Sequence, residues 1–106
     1  MAKIRIEWSS EARLDLFDIL DFYIRRNGSS LYSVRLNSKI NNSIKLLSRN
    51  PLIGTKTDLD SVRALITGDY QILYEIFDQL ILIIMVWDCR RKPENRKIGQ
   101  RIKLPT

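Results

Sequence analysis

The sequence predicts an α+β fold in which one sheet packs against a hairpin of two helices. Three observations carry the prediction: an alternating stretch opens the chain, two amphipathic stretches of helical period follow, and three runs rich in β-branched and aromatic residues come after them. Stacking the hairpin on the sheet is the simplest way to bury the apolar face of each. The expected order is β-α-α-β-β-β: an N-terminal strand, an antiparallel helical hairpin, a three-stranded antiparallel meander, then a basic C-terminal tail.

Ile4, Ile6 and Trp8 alternate with Lys3, Arg5 and Glu7, the period of a half-buried strand. Ser9 or Ser10 then offers a helix N-cap, and Glu11 places negative charge in the first turn. From residue 10 to about residue 26 the period is helical. Ala12, Leu16, Leu20, Tyr23 and Ile24 share one face, and Glu11, Asp15, Asp18 and Arg25 the opposite one. Leu14 and Phe22 fall outside the apolar stripe, beside the acidic face. They are either ordinary exposed apolar residues or, if exposed together, an anchor for a partner.

Asn27-Gly28 ends this helix, since both residues tolerate the left-handed conformation. A second helix begins at Ser29 or Ser30 and runs to about Ser48, with Tyr32, Leu36, Ile40, Ile44 and Leu47 as its stripe. The short link makes the pair an antiparallel hairpin. Asn50-Pro51 closes the second helix, and residues 51–61 read as a loop. Val62–Thr67, Tyr70–Phe77 and residues 80–87 are the strands, turning at Gly68-Asp69 and Asp78-Gln79. In the second of them Tyr70, Ile72, Tyr74 and Ile76 point one way, Gln71 and Glu75 the other. The third is apolar on both faces, as a central strand is.

A chain of 106 residues fits one domain, expected over residues 1–93 with the basic tail over 94–106. Charge is unevenly placed. Residues 1–89 carry eleven Lys or Arg and eleven Asp or Glu, whereas from residue 90 onward seven cations face Glu94 alone, so the net +6 resides there. Such a segment suits a polyanion or an acidic protein surface, or is simply solvated.

Absences narrow the chemistry. Without histidine no Ser–His or Cys–His dyad can be built, and one cysteine cannot make a zinc site or an internal disulfide. The four glycines are isolated, so no phosphate-cradling loop is present. The expectation is a protein with no cofactor and no metal. Met1-Ala2-Lys3 leads directly into the first strand, and the longest apolar run is eight residues, which points to a cytoplasmic protein with no membrane partner.

Trp8-Ser9, Ala12, Asp15-Leu16, Ile19 and Tyr23, then Asn50-Pro51 and Gly54, then Val62-Arg63, Tyr70, Ile72 and Tyr74 together resemble the RelE/ParE toxin superfamily. The ending Trp87-Asp88-Cys89-Arg90-Arg91-Lys92-Pro93 is similar to the Asp-x-Arg-x-x-Pro close of one branch, and the resemblance runs from about Ile4 to Pro93. It implies the toxin of a bacterial type II toxin–antitoxin system, of the kind tied to plasmid stabilization, held inactive by a cognate antitoxin. Relatives divide between cleavage of ribosome-bound mRNA and poisoning of DNA gyrase. The Asp15-Leu16-Phe17-Asp18-Ile19 helix looks more like the gyrase-directed ParE side. A non-toxic nucleic-acid-binding module is the reading of a different class.

Arg63 resembles the strand-borne arginine of the family, suited to a phosphate or carboxylate; an ion pair with Asp58 or Asp60 is the plain alternative. Arg90, Arg91 and Lys92 leave the central strand as three adjacent cations fit for a target, unless Asp88 merely neutralises them. Should the chain be a ribonuclease, its chemistry is metal-independent and its base a Lys, Tyr or carboxylate, with Arg63, Tyr74 and Arg91 as participants. Trp87 reads as core or rim packing rather than a base-stacking platform, and Cys89 as a passive thiol. Leu14 and Phe22 are the candidates for antitoxin contact.

Overall fold

The computed structural model describes residues 4–103; Lys3 of the first alternation and residues 104–106 of the expected tail lie outside them. The elements are β1 (Arg5–Trp8), α1 (Ser10–Asn27), α2 (Leu31–Lys45), β2 (Thr55–Lys56), β3 (Val62–Thr67), β4 (Tyr70–Phe77) and β5 (Leu80–Asp88). The α+β class and the order expected from sequence are what the structure has, with one addition. Thr55–Lys56, inside the expected loop 51–61, pairs with Ala64 and Arg63 as a short edge strand. Two residues are too few to leave a periodic signal.

The five strands lie in the order β1-β5-β4-β3-β2. β3, β4 and β5 form the antiparallel meander, and β1 adds to β5 in parallel from Arg5↔Leu80 to Trp8↔Ile83. The apolar run of β5 is thus central, between β1 and β4. Pairing with β1 stops halfway along it: the Ser9 N–H donates to the Ile83 carbonyl at 2.9 Å, and the chain then leaves the sheet as α1.

Local chemistry sets the helix ends. Ser9 is the N-cap of α1, its Oγ accepting from the Ala12 N–H at 3.1 Å. Gly28 takes the left-handed conformation (φ 66°), and its N–H donates to the Ile24 carbonyl. α2 tightens into a 3-10 turn over Leu46–Ser48 before Pro51. Ser33 fastens the hairpin by donating from its Oγ to the Leu20 carbonyl at 2.7 Å.

The sheet is covered on both faces. On one, Leu36, Ile40 and Ile44 of α2, Leu47 of the 3-10 turn after it and Ala12 of α1 pack with Ile72, Tyr74, Ile81 and Ile83. Two residues depart from the expected α1 faces: Ile24 is 40% exposed, and Asp15 is half-buried against the sheet rather than on the outer surface. Tyr32, expected in the α2 stripe, is largely exposed and rests on the Tyr23 ring. On the other face Val62, Ala64, Leu73, Met85 and Trp87 pack with Ile98 of the C-terminal segment, with Ile102 at the margin. Residues 93–103 therefore form a strap across the sheet, containing 3-10 turns at Pro93–Asn95 and Ile98–Gln100.

A bulge in β5 decides which residues lie under this strap. Leu73 pairs with Met85 but Tyr74 with Ile83, so Ile84 is the extra residue. One added residue inverts the alternation beyond it. Ile81 and Ile83 face the helices, whereas past the bulge Met85 and Trp87 face the strap. Among the described residues no helix is long and apolar enough to cross a membrane.

Candidate functional site at the end of the central strand

The segment leaving β5 is where the sequence places most of its candidate target-binding residues, and the structure gives those residues different roles. Arg90, half-exposed at the surface, closes a clamp. Its Nε and Nη2 donate to the two Asp88 carboxylate oxygens at 2.9 Å each, and Nη2 also reaches the hydroxyls of Tyr23 (2.9 Å) and Tyr70 (3.3 Å). The end of β5 is thereby tied to α1 and to β4. Hydrogen bonding to Arg90 holds the Asp88 carboxyl below its usual range, and Asp88 in turn raises the guanidinium. Tyr23 is pushed down by the hydroxyl of Tyr70 and then by Arg90, while burial pushes Tyr70 up, so Tyr70 remains the neutral partner.

Arg91 is arranged otherwise. Its guanidinium lies 4.7 Å from the centroid of the Trp87 ring, and among the described residues it has no carboxylate partner. Trp87 is 7% exposed, so it serves as a platform for the arginine, in agreement with packing rather than base stacking. Lys92 is exposed, immediately before the first 3-10 turn of the strap. Cys89 is exposed, and its thiol is pushed up by partial burial and then by Asp88, which makes it a poor nucleophile.

Three concavities meet at Arg91. One, of about 320 Å³, lies between α1 and the strand ends and is walled by Asp18, Phe22, Tyr23 and Tyr70. A second, of about 200 Å³, lies between β5 and the strap, with Asn95, Lys97 and Gln100 on its wall. A third, also of about 200 Å³, is bounded by Gln71, Pro93 and Arg96. Arg96 donates to the Gln71 side-chain carbonyl, a neutral acceptor.

Arg63 and Tyr74 lie elsewhere. They pair with one another across the β3–β4 ladder, whereas the Arg90 clamp is at the Thr67↔Tyr70 end, four residues or ~13 Å away along the strand. Arg63 forms no ion pair with Asp58 or Asp60; its Nη1 donates to the Gly54 carbonyl at 2.8 Å and the Leu52 carbonyl at 3.4 Å. Tyr74 is fully buried, donating to the Pro51 carbonyl at 2.7 Å and accepting from the Gly54 N–H at 2.9 Å. Burial raises its hydroxyl, which keeps it protonated. Both side chains hold the backbone of residues 51–54 in place. Arg63, Tyr74 and Arg91 are not brought together.

Leu14 and Phe22 are 59% and 55% exposed on α1, and Phe22 lines the larger concavity. Eight residues of helix separate them by ~12 Å. Sequence reasoning missed Asp15 and Arg101. The Asp15 carboxylate accepts from both Arg101 Nη atoms (2.9 and 3.0 Å) and from the Val86 N–H (3.1 Å), and Arg101 Nη1 also donates to the Ile84 carbonyl. These two backbone groups lie in the part of β5 that β1 does not cover, past the last β1 pair at Ile83. Lys103 adds an N–H bond to Glu75 and an ion pair with Glu11.

Two solved toxin–antitoxin structures are similar to this chain in fold. A solved structure described as a chromosomal ParDE toxin–antitoxin system from P. aeruginosa is similar, with 19% identity and a TM-score of 0.71, covering 81% of this chain and 96% of the other. A RelBE2 toxin–antitoxin complex from Mycobacterium tuberculosis has 22% identity and a TM-score of 0.59, covering 83% and 93%. Among curated proteins none matches by sequence. Residues 6–93 match the family model described as ParE toxin of type II toxin-antitoxin system, parDE, and the chain belongs to that ParE toxin family.

Proposed function

We propose that this toxin arrests growth by acting on DNA gyrase, with the surface around Arg91 as its working face, and that a cognate antitoxin neutralises it. Membership of the ParE rather than a RelE family over residues 6–93 carries the choice of target. The placement of the candidate catalytic residues supports it. Metal-independent RNA cleavage needs a base and a phosphate-stabilising cation within hydrogen-bond reach of one reacting group. Tyr74 is buried with its hydroxyl engaged on both sides, and Arg63 is spent on backbone carbonyls ~13 Å along the sheet from the Arg90 clamp. Antitoxin contact through Leu14 and Phe22 is supported by their exposure and by the complexes in which similar folds occur.

Induction of the chain without an antitoxin gives the test. Gyrase-linked DNA breaks with intact mRNA are expected. Cleavage of mRNA within codons on primer extension would replace this reading with the ribosome-directed one, and normal growth would replace it with the non-toxic module. Arg91→Ala is the informative variant, because Arg90 is part of the clamp and its loss perturbs the fold as well as the surface. Arg91→Ala should abolish toxicity in a chain that still folds, its stability reduced only by the lost contact with the Trp87 ring. Substituting Leu14 and Phe22 with Ser should weaken antitoxin affinity.

A further inference from the structure

The structure divides the C-terminal cations into two sets. Arg90 is neutralised by Asp88, Arg101 by Asp15 and Lys103 by Glu11. Arg91, Lys92, Arg96 and Lys97 have no carboxylate partner among the described residues, and only Glu94 lies among them in sequence. Among the C-terminal cations of the described residues, those left for a partner thus lie at residues 91–97, at the edge of the strap.

We infer that the notch between β5 and the strap, formed by Arg91 and Lys97 with the side-chain amides of Asn95 and Gln100, binds a phosphodiester group of a nucleic-acid backbone. This deepens the working face proposed above and rests on that reading only for the location of the surface. Size is the first argument. The notch holds about 200 Å³, below the ~300–1,000 Å³ of small-molecule pockets, which suits one phosphate rather than a cofactor. Preorganisation is the second. Arg91 is held over the Trp87 ring, and the β5 bulge turns Trp87 to this face, so little side-chain freedom remains to be lost on binding.

The donor set is the third argument. A guanidinium fork alone saturates a carboxylate in its plane, whereas a fork, an ammonium and two amides converging on one space from several directions match the tetrahedral oxygens of a phosphodiester. Asp15 also borders the notch, but Arg101 engages both of its oxygens. Finally, the neighbouring groove with Arg96 shares Arg91 and Trp87 with the notch. A ligand crossing Arg91 meets cations on both sides, which favours an extended polyanion over a free anion.

The test measures binding of the purified full chain to a labelled 20-base-pair DNA duplex between 50 and 200 mM salt, with polyglutamate as competitor. Each phosphate neutralised contributes a slope of about −0.9 in log K against log salt. Arg91→Ala and Lys97→Ala should each make the slope shallower, and the double variant by about 0.9 in all, the contribution of one phosphate. Lys97→Ala should leave the melting temperature unchanged, and Arg91→Ala should lower it only by the lost contact with the Trp87 ring. Lys97 is exposed with no bond to lose, so its variant keeps the fold. Lys45→Ala, on the exposed surface of α2, should leave the slope unchanged. Unchanged slopes in both notch variants would overturn the site, and competition by polyglutamate equal to that of unlabelled duplex would show it to be a carboxylate site. A chain that binds duplex here yet spares gyrase overturns the proposed target and leaves the notch standing.

Discussion

Asp15→Ala should cost this protein about 2–3 kcal/mol, although the residue belongs to a helix whose outer face is acidic. Breaking a fully buried ion pair costs about 3–5 kcal/mol, because one charge is left without its partner. Here the side chains keep 24% and 20% exposure, so water offsets part of that cost. The Val86 N–H loses its acceptor in the same variant. With a urea m-value of about 1.5 kcal/mol/M, the midpoint should fall by about 1.3–2 M at constant m.

A double-mutant cycle isolates the pair from the rest. Asp15→Ala, Arg101→Ala and the double variant should give a coupling of about 1–2 kcal/mol. The i,i+4 pair Asp21–Arg25, with Arg25 80% exposed, is the internal control and should couple by about 0.3–0.5 kcal/mol. A coupling for Asp15–Arg101 no greater than the control would refute the reasoning. The strap would then be resting on the sheet, not locked to it.

Two further outcomes follow from neighbouring geometry. Tyr74→Phe should destabilise by about 1–3 kcal/mol, since the Gly54 N–H and Pro51 carbonyl lose their buried partner. Gly54→Ala should do at least as much damage, because its Cβ would lie 2.6 Å from the Tyr74 hydroxyl; chemical denaturation checks both. The Arg90 clamp should weaken in acid. The folded-state pKa of Asp88 is depressed, so its stabilisation is present above the unfolded value of about 3.9 and is lost as pH falls through the lower folded value. Melting temperatures of Asp88→Asn should therefore depend less on pH below about 4 than those of the parent chain. An acid limb identical in both would remove Asp88 from the account.

The sequence by itself determined the elements, their order and the α+β class, because these follow from signals within a few residues. The period of Ile4, Ile6 and Trp8, the Asn27-Gly28 stop, the helical stripe of Leu36, Ile40, Ile44 and Leu47 and the two tight turns are all local. The doubly apolar run from residue 80 likewise announced a central strand. Tertiary structure alone decided how each charge is used. Asp15 and Arg101 are 86 residues apart and meet where β1 pairing ends at Ile83, on backbone groups of Ile84 and Val86 that the pair then satisfies. The β5 bulge adds one residue to an uninterrupted apolar run, so no change in composition marks it, yet it decides that Trp87 lies under the strap and holds Arg91. In sequence, Arg90 and Arg91 are adjacent and chemically identical. In the fold one closes a clamp with Asp88, Tyr23 and Tyr70, and the other lies over the Trp87 ring with no carboxylate partner among the described residues.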